Sequence, residues 1–308
     1  MSFLSARGTR HILPWALAAA LGLGLGSLSA QPAVEPAPAV RDPIFDVTTK
    51  LVVLHVTVVD KNEELVVDLA KTDFRVFEDD KAQTIREFRR EDVPVSVGIL
   101  IDNSGSMRDK RMKVNVAALD FVKASNPDDE VFIVNFNDEA YLDSDFTNDV
   151  ARMQDALQRI DSRGGTALYD AIQMSLDHLN KKAKREKRVL LVLSDGEDNS
   201  SRVDLERVVR QLQEQERQTT IYAVGLLSEE EKGSAKRAER ALRHISRATG
   251  GPAYFPNSVD EVHALTRRIA TDIRNQYLLI YSPADEKPAG FRRVRVELDG
   301  KAKRYQVR

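Results

Sequence analysis

The stretch that decides the fold is Val95-Ser96-Val97-Gly98-Ile99-Leu100-Ile101-Asp102-Asn103-Ser104-Gly105-Ser106-Met107. It begins with a nearly continuous apolar run, which is typical of a parallel strand buried on both faces. The run ends at Asp102, and a loop of small polar residues follows. Three later segments have the same apolar character, namely 131–134, 189–193 and 221–224. These four runs predict a mostly parallel sheet.

Between and after these runs, apolar residues recur at helical spacing. The segments that show this pattern are 114–122, 168–179, 205–212, 238–245 and 262–273. Strands that alternate with helices are typical of a doubly wound α/β sheet. We therefore predict an α/β domain with a mostly parallel sheet at residues 94–275.

The segments on either side of this domain have short strand patterns separated by polar turns. In residues 44–93 these patterns include 51–59, 65–67 and 83–88, and in residues 276–308 Asp299-Gly300 predicts a hairpin turn. We expect the two segments to pair into one small β-sandwich-like domain that carries the α/β domain as an insertion. The alternative is two separate β appendages.

The N-terminus predicts export. Arg7 and Arg10 precede an apolar stretch at 12–25, and small residues follow it, as in a secretory signal peptide at 1–30. An uncleaved membrane anchor is the alternative. A Pro/Ala-rich linker is predicted at 31–43. After cleavage we expect no membrane span and a periplasmic or extracellular location.

Composition limits the function further. The 308 residues carry a net charge of −2, which offers no electrostatic reason to expect a nucleic-acid partner. The chain has no cysteine, so disulfides, thiolate metal sites and cysteine catalysis are excluded. No pattern in the sequence predicts an oligomeric state.

Five oxygen-bearing side chains follow strands or lie in glycine-rich loops, and they predict a metal site. They are Asp102, Ser104 and Ser106 in the first loop, Thr166 in Gly-Gly-Thr-Ala-Leu, and Asp195 in Leu-Ser-Asp-Gly. Open α/β sheets bind ligands at the carboxyl ends of their strands. Hydroxyl and carboxylate oxygens select a hard cation, with Mg²⁺ as the first candidate and Mn²⁺ or Ca²⁺ as alternatives. Otherwise the serines would cap a helix and the aspartates would occupy turns.

This arrangement resembles the von Willebrand factor type A (VWA) domain and its metal-ion-dependent adhesion site (MIDAS). The family's D-x-S-x-S motif is met by Asp102, Ser104 and Ser106, its second-loop threonine by Thr166 and its third-loop aspartate by Asp195. The resemblance implies that the hydroxyls contact the metal directly and that the two aspartates act largely through water and hydrogen bonds. It also implies a protein partner that supplies an Asp or Glu carboxylate, and in some relatives a moving last helix, here about 258–274.

Two other functions stay open. One is a scaffold with a non-functional metal site, and the other is a metal-dependent hydrolase. The hydrolase has less support because the sequence contains neither G-x-S-x-G nor H-E-x-x-H, so we predict a protein that is not an enzyme. Asp109, Asp198 and Asn199 lie near the predicted site and are expected to be solvated loop residues, with a supporting position behind the metal ligands as the alternative. The basic run at 181–188 is expected to be a solvated loop, with a polyanion-binding patch as the alternative.

Overall fold

The computed structural model describes residues 51–90, 92–158, 162–215, 217–227, 232–284 and 292–308. The predicted signal peptide and Pro/Ala-rich linker lie outside these residues. In the described part of the chain, no helix has the length and apolar character needed to cross a membrane.

The described chain begins with short strands rich in β-branched and aromatic residues. They are β1 (Val52–Val56), β2 (Val58–Val59), β3 (Phe74–Glu78), β4 (Lys81–Gln83) and β5 (Ile85–Arg90). Strand β3 alternates between buried and more exposed side chains, as expected for a strand with one face on a core. The predicted strand at 65–67 does not form, because Leu65 makes only an isolated bridge to Val59.

A six-stranded sheet follows these strands along the chain. Its strands are β6 (Val95–Asp102), β7 (Glu130–Phe136), β8 (Ala140–Thr147), β9 (Lys187–Ser194), β10 (Thr219–Gly225) and β11 (Ala253–Tyr254). Their spatial order is β11-β10-β9-β6-β7-β8, and all pairs are parallel except β7 with β8. Every residue of β6 and of β9 is buried, which explains why these strands read as apolar runs.

Helices cover both faces of this sheet. They are α1 (Arg111–Ala124), α2 (Val150–Gln158), α3 (Leu168–Lys182), α4 (Leu205–Gln213), α5 (Lys232–Ala248) and α6 (Glu261–Arg274). Buried side chains of α1, α2 and α6 share one hydrophobic cluster with the sheet, and those of α3, α4 and α5 share another. The central unit is therefore the predicted doubly wound, mostly parallel α/β sheet.

The strands after the central sheet pair with those before it. They are β12 (Tyr277–Tyr281), β13 (Val294–Leu298) and β14 (Gln306–Val307). Strand β12 lies between β1 and β5, β13 pairs with β3, and β14 pairs with β2, all antiparallel. Phe74, Phe88 and Tyr277 pack their rings together in the core that these strands share. The chain thus leaves and re-enters this β region through the α/β unit.

The structure corrects two further details of the prediction. Asp299-Gly300 does not form a hairpin, because residues Gly300–Arg304 form a 3₁₀ helix and β14 pairs with β2 instead of β13. The basic run at 181–188 is not entirely a solvated loop either, because Lys187 and Arg188 are buried in β9. Their charges have partners: Lys187 Nζ donates to the carbonyl of Ile273, and Arg188 Nη1 donates to Asn180 Oδ1 at 2.8 Å.

Candidate metal centre

Asp102 is the innermost carboxylate of the candidate site. It is the last residue of β6 and is fully buried. Its Oδ1 accepts a hydrogen bond from the backbone N–H of Ser104 at 2.8 Å, and its Oδ2 accepts one from Ser194 Oγ at 2.6 Å. Burial raises the pKa of Asp102 to about 6, although these donors favour the charged form. Asp102 therefore links the first loop to the end of β9, where the third loop begins.

Hydroxyl groups connect the first loop to Asp195. Ser104 Oγ and Ser106 Oγ lie 3.1 Å apart, and Ser106 Oγ donates to Asp195 Oδ1 at 2.8 Å. A 3₁₀ turn at Gly105–Met107 holds Ser106 in place, and the Met107 side chain anchors that turn in the core. Four of the five predicted residues thus form one hydrogen-bonded chain at the carboxyl ends of β6 and β9.

Thr166 joins the site through the second loop. A methyl group built on Gly196 would lie 3.1 Å from Thr166 Oγ1, so this hydroxyl faces the third loop. The backbone N–H of Gly105 donates to the carbonyl of Gly164 at 3.1 Å, which ties the second loop to the first. Thr166 makes no hydrogen bond to Ser104 or Ser106 in the described part of the chain. The three loops meet, and Thr166 approaches from the side of Asp195.

Two residues that we expected to be solvated also hold the second loop against the third. Asn199 Oδ1 accepts from the backbone N–H of Thr166 at 2.9 Å. Asp198 Oδ2 accepts from the backbone N–H of Tyr169 at 2.9 Å, and burial raises the pKa of Asp198. Asn199 is exposed, as expected, whereas Asp198 is half-buried. Both act as acceptors because the loops fold back on one another.

Sequence reasoning missed Lys110, which contacts the site directly. Its Nζ donates to Asp195 Oδ2 at 2.5 Å and to the carbonyl of Leu226 at 3.0 Å. The Asp195 side chain is only 1% exposed, so Lys110 is the cation that compensates it. The sequence does place a lysine one helical turn after Ser106, but the direction of the Lys110 side chain depends on where α1 starts.

The donor set fits a hard divalent cation. Ser104, Ser106 and Thr166 supply hydroxyl oxygens, while Asp102 and Asp195 supply carboxylates, and hard cations prefer such oxygens. In the described residues no three His, Cys, Asp or Glu side chains cluster as metal ligands.

Comparison with known proteins supports the fold. Residues 97–197 match the family model described as the von Willebrand factor type A domain. A von Willebrand factor type A protein from Catenulispora acidiphila has a similar solved structure, with a TM-score of 0.52 and 18% identity. The match covers 66% of this chain and 50% of that one, so the chain spans about half the length of that protein. No curated protein matches the chain.

Two further solved structures are similar to the chain with lower TM-scores. BatB from Bacteroides thetaiotaomicron has a TM-score of 0.45 and 20% identity, over 58% of this chain and 98% of that one. Proximal thread matrix protein 1 from the mussel byssus, described with a zinc-occupied MIDAS motif, has a TM-score of 0.48 and 14% identity, over 64% and 49%. Residues 97–197 therefore match the von Willebrand factor type A model, and the six-stranded sheet gives the central α/β unit a fold of that kind.

Proposed function

We propose that the protein is a metal-ion-dependent protein-binding module, in which residues 94–275 form the VWA domain and residues 44–93 and 276–308 form the β domain that carries it. The observation that carries the proposal is the hydrogen-bonded chain from Ser104 through Ser106 to Asp195, with Asp102 fixed behind it. A structural capping role alone would not require three separate loops to bring hydroxyls and carboxylates to one place.

The residues have different roles in this proposal. Ser104, Ser106 and Thr166 would hold a divalent cation, with Mg²⁺ as the first candidate, and Asp102 and Asp195 would orient these ligands and bound water. When bound, the cation supplies a Lewis-acid position for a partner's Asp or Glu carboxylate. Neutral hydroxyls leave the positive charge of such a cation largely uncompensated, which favours an acidic partner.

The surface beside the first loop also suits an acidic partner. A cavity of about 430 Å³ lies there, and Arg108, Arg111, Ser162 and Arg163 line it among the described residues. Met112, in the first turn of α1, is 80% exposed. Clustered positive charge attracts an acidic surface and steers its approach, and an exposed apolar side chain adds contact area. We infer that the partner presents its carboxylate from an acidic segment.

The signal-peptide pattern at 1–30 supports export to the periplasm or beyond.

One observation favours a second candidate function, a scaffold with a non-functional metal site. Lys110 already neutralises Asp195, as a structural ion pair would. The hydrolase alternative would require metal-dependent turnover of an ester or phosphoester.

Calorimetric titration of the mature chain with Mg²⁺ and Mn²⁺ tests the proposal, with Ser106→Ala as the site variant. Ser144→Ala is the matched control, because Ser144 lies on the edge strand β8 and donates to the adjacent Asp145 carbonyl. We expect Ser106→Ala to lose binding and the control to retain it. Equal Mg²⁺ and Mn²⁺ affinities of wild type and Ser106→Ala would refute the assigned site.

A pulldown from envelope and culture fractions then tests partner binding. We expect specific proteins that are retained by wild type and Ser144→Ala, and that are lost both with chelator and with Ser106→Ala. Metal-dependent binding would be contradicted if the same proteins were retained in the presence of chelator and by Ser106→Ala. Metal-dependent hydrolysis of p-nitrophenyl acetate or p-nitrophenyl phosphate would instead support the enzyme alternative.

A further inference from the structure

Lys110 occupies an unfavourable place for a lysine. It immediately precedes α1, and its carbonyl accepts the first hydrogen bond of that helix from Val114. The N-terminus of a helix carries partial positive charge, so a cation there is disfavoured unless an anion compensates it. The first turn of α1 contains no acidic residue. Asp195 at 2.5 Å therefore provides the compensation, and the two groups depend on each other.

The position of Lys110 is fixed from several sides. Its backbone N–H donates to the carbonyl of Met107 at 3.0 Å, and its ammonium bridges Asp195 and the Leu226 carbonyl. The Leu226 backbone N–H in turn donates to the carbonyl of Ser194 at 2.8 Å, so the segments after β9 and β10 are joined beneath the lysine. The Lys110 side chain is 22% exposed. It thus cannot turn into solvent without breaking two hydrogen bonds and leaving Asp195 uncompensated.

This lysine changes the charge that a cation meets. The carboxylates of Asp102 and Asp195 with the ammonium of Lys110 have a net charge of minus one. A divalent cation would bring the group to plus one, and one carboxylate from outside would bring it to zero. Without Lys110, the cation alone would reach neutrality. Since uncompensated charge at a largely buried site is costly, the lysine opposes the cation alone and favours the cation together with an anion.

We propose that Lys110 couples metal binding to carboxylate binding at this site, so that the divalent cation binds weakly alone and tightly together with the partner's carboxylate. This inference rests on the proposed metal-dependent function. It assigns to Lys110 a specificity-determining role. A lysine that only joined the segments after β9 and β10 would affect stability and leave the coupling between the two ligands unchanged.

The test measures Mn²⁺ affinity of the mature chain by calorimetry, with and without acetate as the carboxylate probe and chloride at matched ionic strength. Lys110→Met keeps the length of the side chain and removes its charge, while Lys110→Arg keeps the charge. Lys113→Met is the matched control, because Lys113 lies in the first turn of α1, close in sequence to Lys110, and pairs with Asp260 at the surface. Urea unfolding without metal checks that each variant folds.

For wild type, we expect acetate to tighten Mn²⁺ binding. Lys110→Met should bind Mn²⁺ alone about tenfold or more tightly than wild type, as removal of one nearby unit charge predicts, and should lose most of the acetate effect. It should also unfold at lower urea without metal, because Asp195 then lacks its cation. Lys110→Arg and Lys113→Met should retain the wild-type acetate effect.

Equal or weaker Mn²⁺ affinity in Lys110→Met, with an unchanged acetate effect, would overturn the coupling and leave the proposed function intact. Failure of both wild type and Lys110→Met to bind Mn²⁺ would instead reject the proposed function and this inference with it. If Lys110→Met does not fold, Lys110→Gln is measured against the same two criteria.

Discussion

Asp272 is a buried carboxylate whose removal should stabilise the protein. It lies on α6 and is 2% exposed, and its Oδ1 has no hydrogen-bond partner among the described residues. Two arginines lie near enough to favour its charged form, but Arg268 and Arg308 both pair with Glu63 instead. Burial therefore dominates, and the pKa of Asp272 rises from 3.8 to about 6.

The sign and size of the effect follow from this shift. Between about pH 4 and pH 6 the unfolded chain releases the Asp272 proton while the folded protein retains it, so stability falls as pH rises through this window. A shift of about two units corresponds to about 3 kcal/mol. Asp272→Asn removes this loss. The variant should exceed wild type in unfolding free energy by up to about 3 kcal/mol above pH 6, and the difference should nearly vanish at about pH 4.

Urea unfolding of wild type and Asp272→Asn at several pH values between about 4 and 8 measures this difference. Asp129→Asn is the control, because burial also raises the pKa of Asp129 but its carboxylate accepts the backbone N–H groups of Val95 at 2.7 Å and Asn126 at 3.0 Å. The control should be less stable than wild type at neutral pH, since it exchanges a carboxylate oxygen for a donor. Parallel pH profiles for wild type and Asp272→Asn would refute the reasoning.

Three further predictions concern packing and loop support. Gly98→Ala should lower the unfolding free energy measured in urea by about 1–3 kcal/mol, because the new methyl group would lie 2.3 Å from a phenylalanine ring of β7. An unchanged midpoint of urea unfolding would contradict this expectation. Tyr281→Phe should lower the unfolding free energy by about 1–3 kcal/mol in the same assay, because the Tyr281 hydroxyl donates to the buried Glu78 Oε2 at 2.6 Å. An unchanged unfolding free energy would show that water replaces this hydroxyl as the donor. Asn199→Ala should weaken Mn²⁺ binding by calorimetry, because the second loop loses an acceptor, and unchanged affinity would show that the loop holds without it.

The parts of the fold that were predicted are those whose burial leaves a pattern in the sequence. Strands β6 and β9 are buried along their whole length, so their apolar runs were evident. Strand β8 was missed because it lies at the edge of the sheet, and none of its residues is fully buried. Helix α2 was missed because it has only nine residues, and its apolar face is correspondingly short. An edge strand and a short helix take their stability from neighbours that a local pattern does not contain.

The candidate site shows the same division between local pattern and tertiary contact. Loops that follow parallel strands meet at one sheet edge, so Asp102 and Asp195 could be placed together from the sequence alone. Their different environments could not be predicted in this way. Asp102 is compensated by uncharged donors, whereas Asp195 is compensated by Lys110, and that difference depends on side-chain directions set by α1. The site therefore includes a positive charge that the spacing of its ligands does not reveal.

A moving last helix, implied by the resemblance to the family, would have to act through the β region. Thr266 Oγ1 donates to a carbonyl of α1 at 3.0 Å, and Arg274 Nη1 donates to the last carbonyl of α1 at 3.2 Å. Directly after α6, Gln276 Nε2 donates to Thr57 Oγ1 at 3.0 Å, and β12 then begins at Tyr277. Breaking these three bonds would cost on the order of 3 kcal/mol, which equals the upper end of typical allosteric coupling. A displacement of α6 that carries β12 with it preserves the bond to Thr57 and costs less. Since β12 is the central strand between β1 and β5, any such movement must be transmitted to both of them.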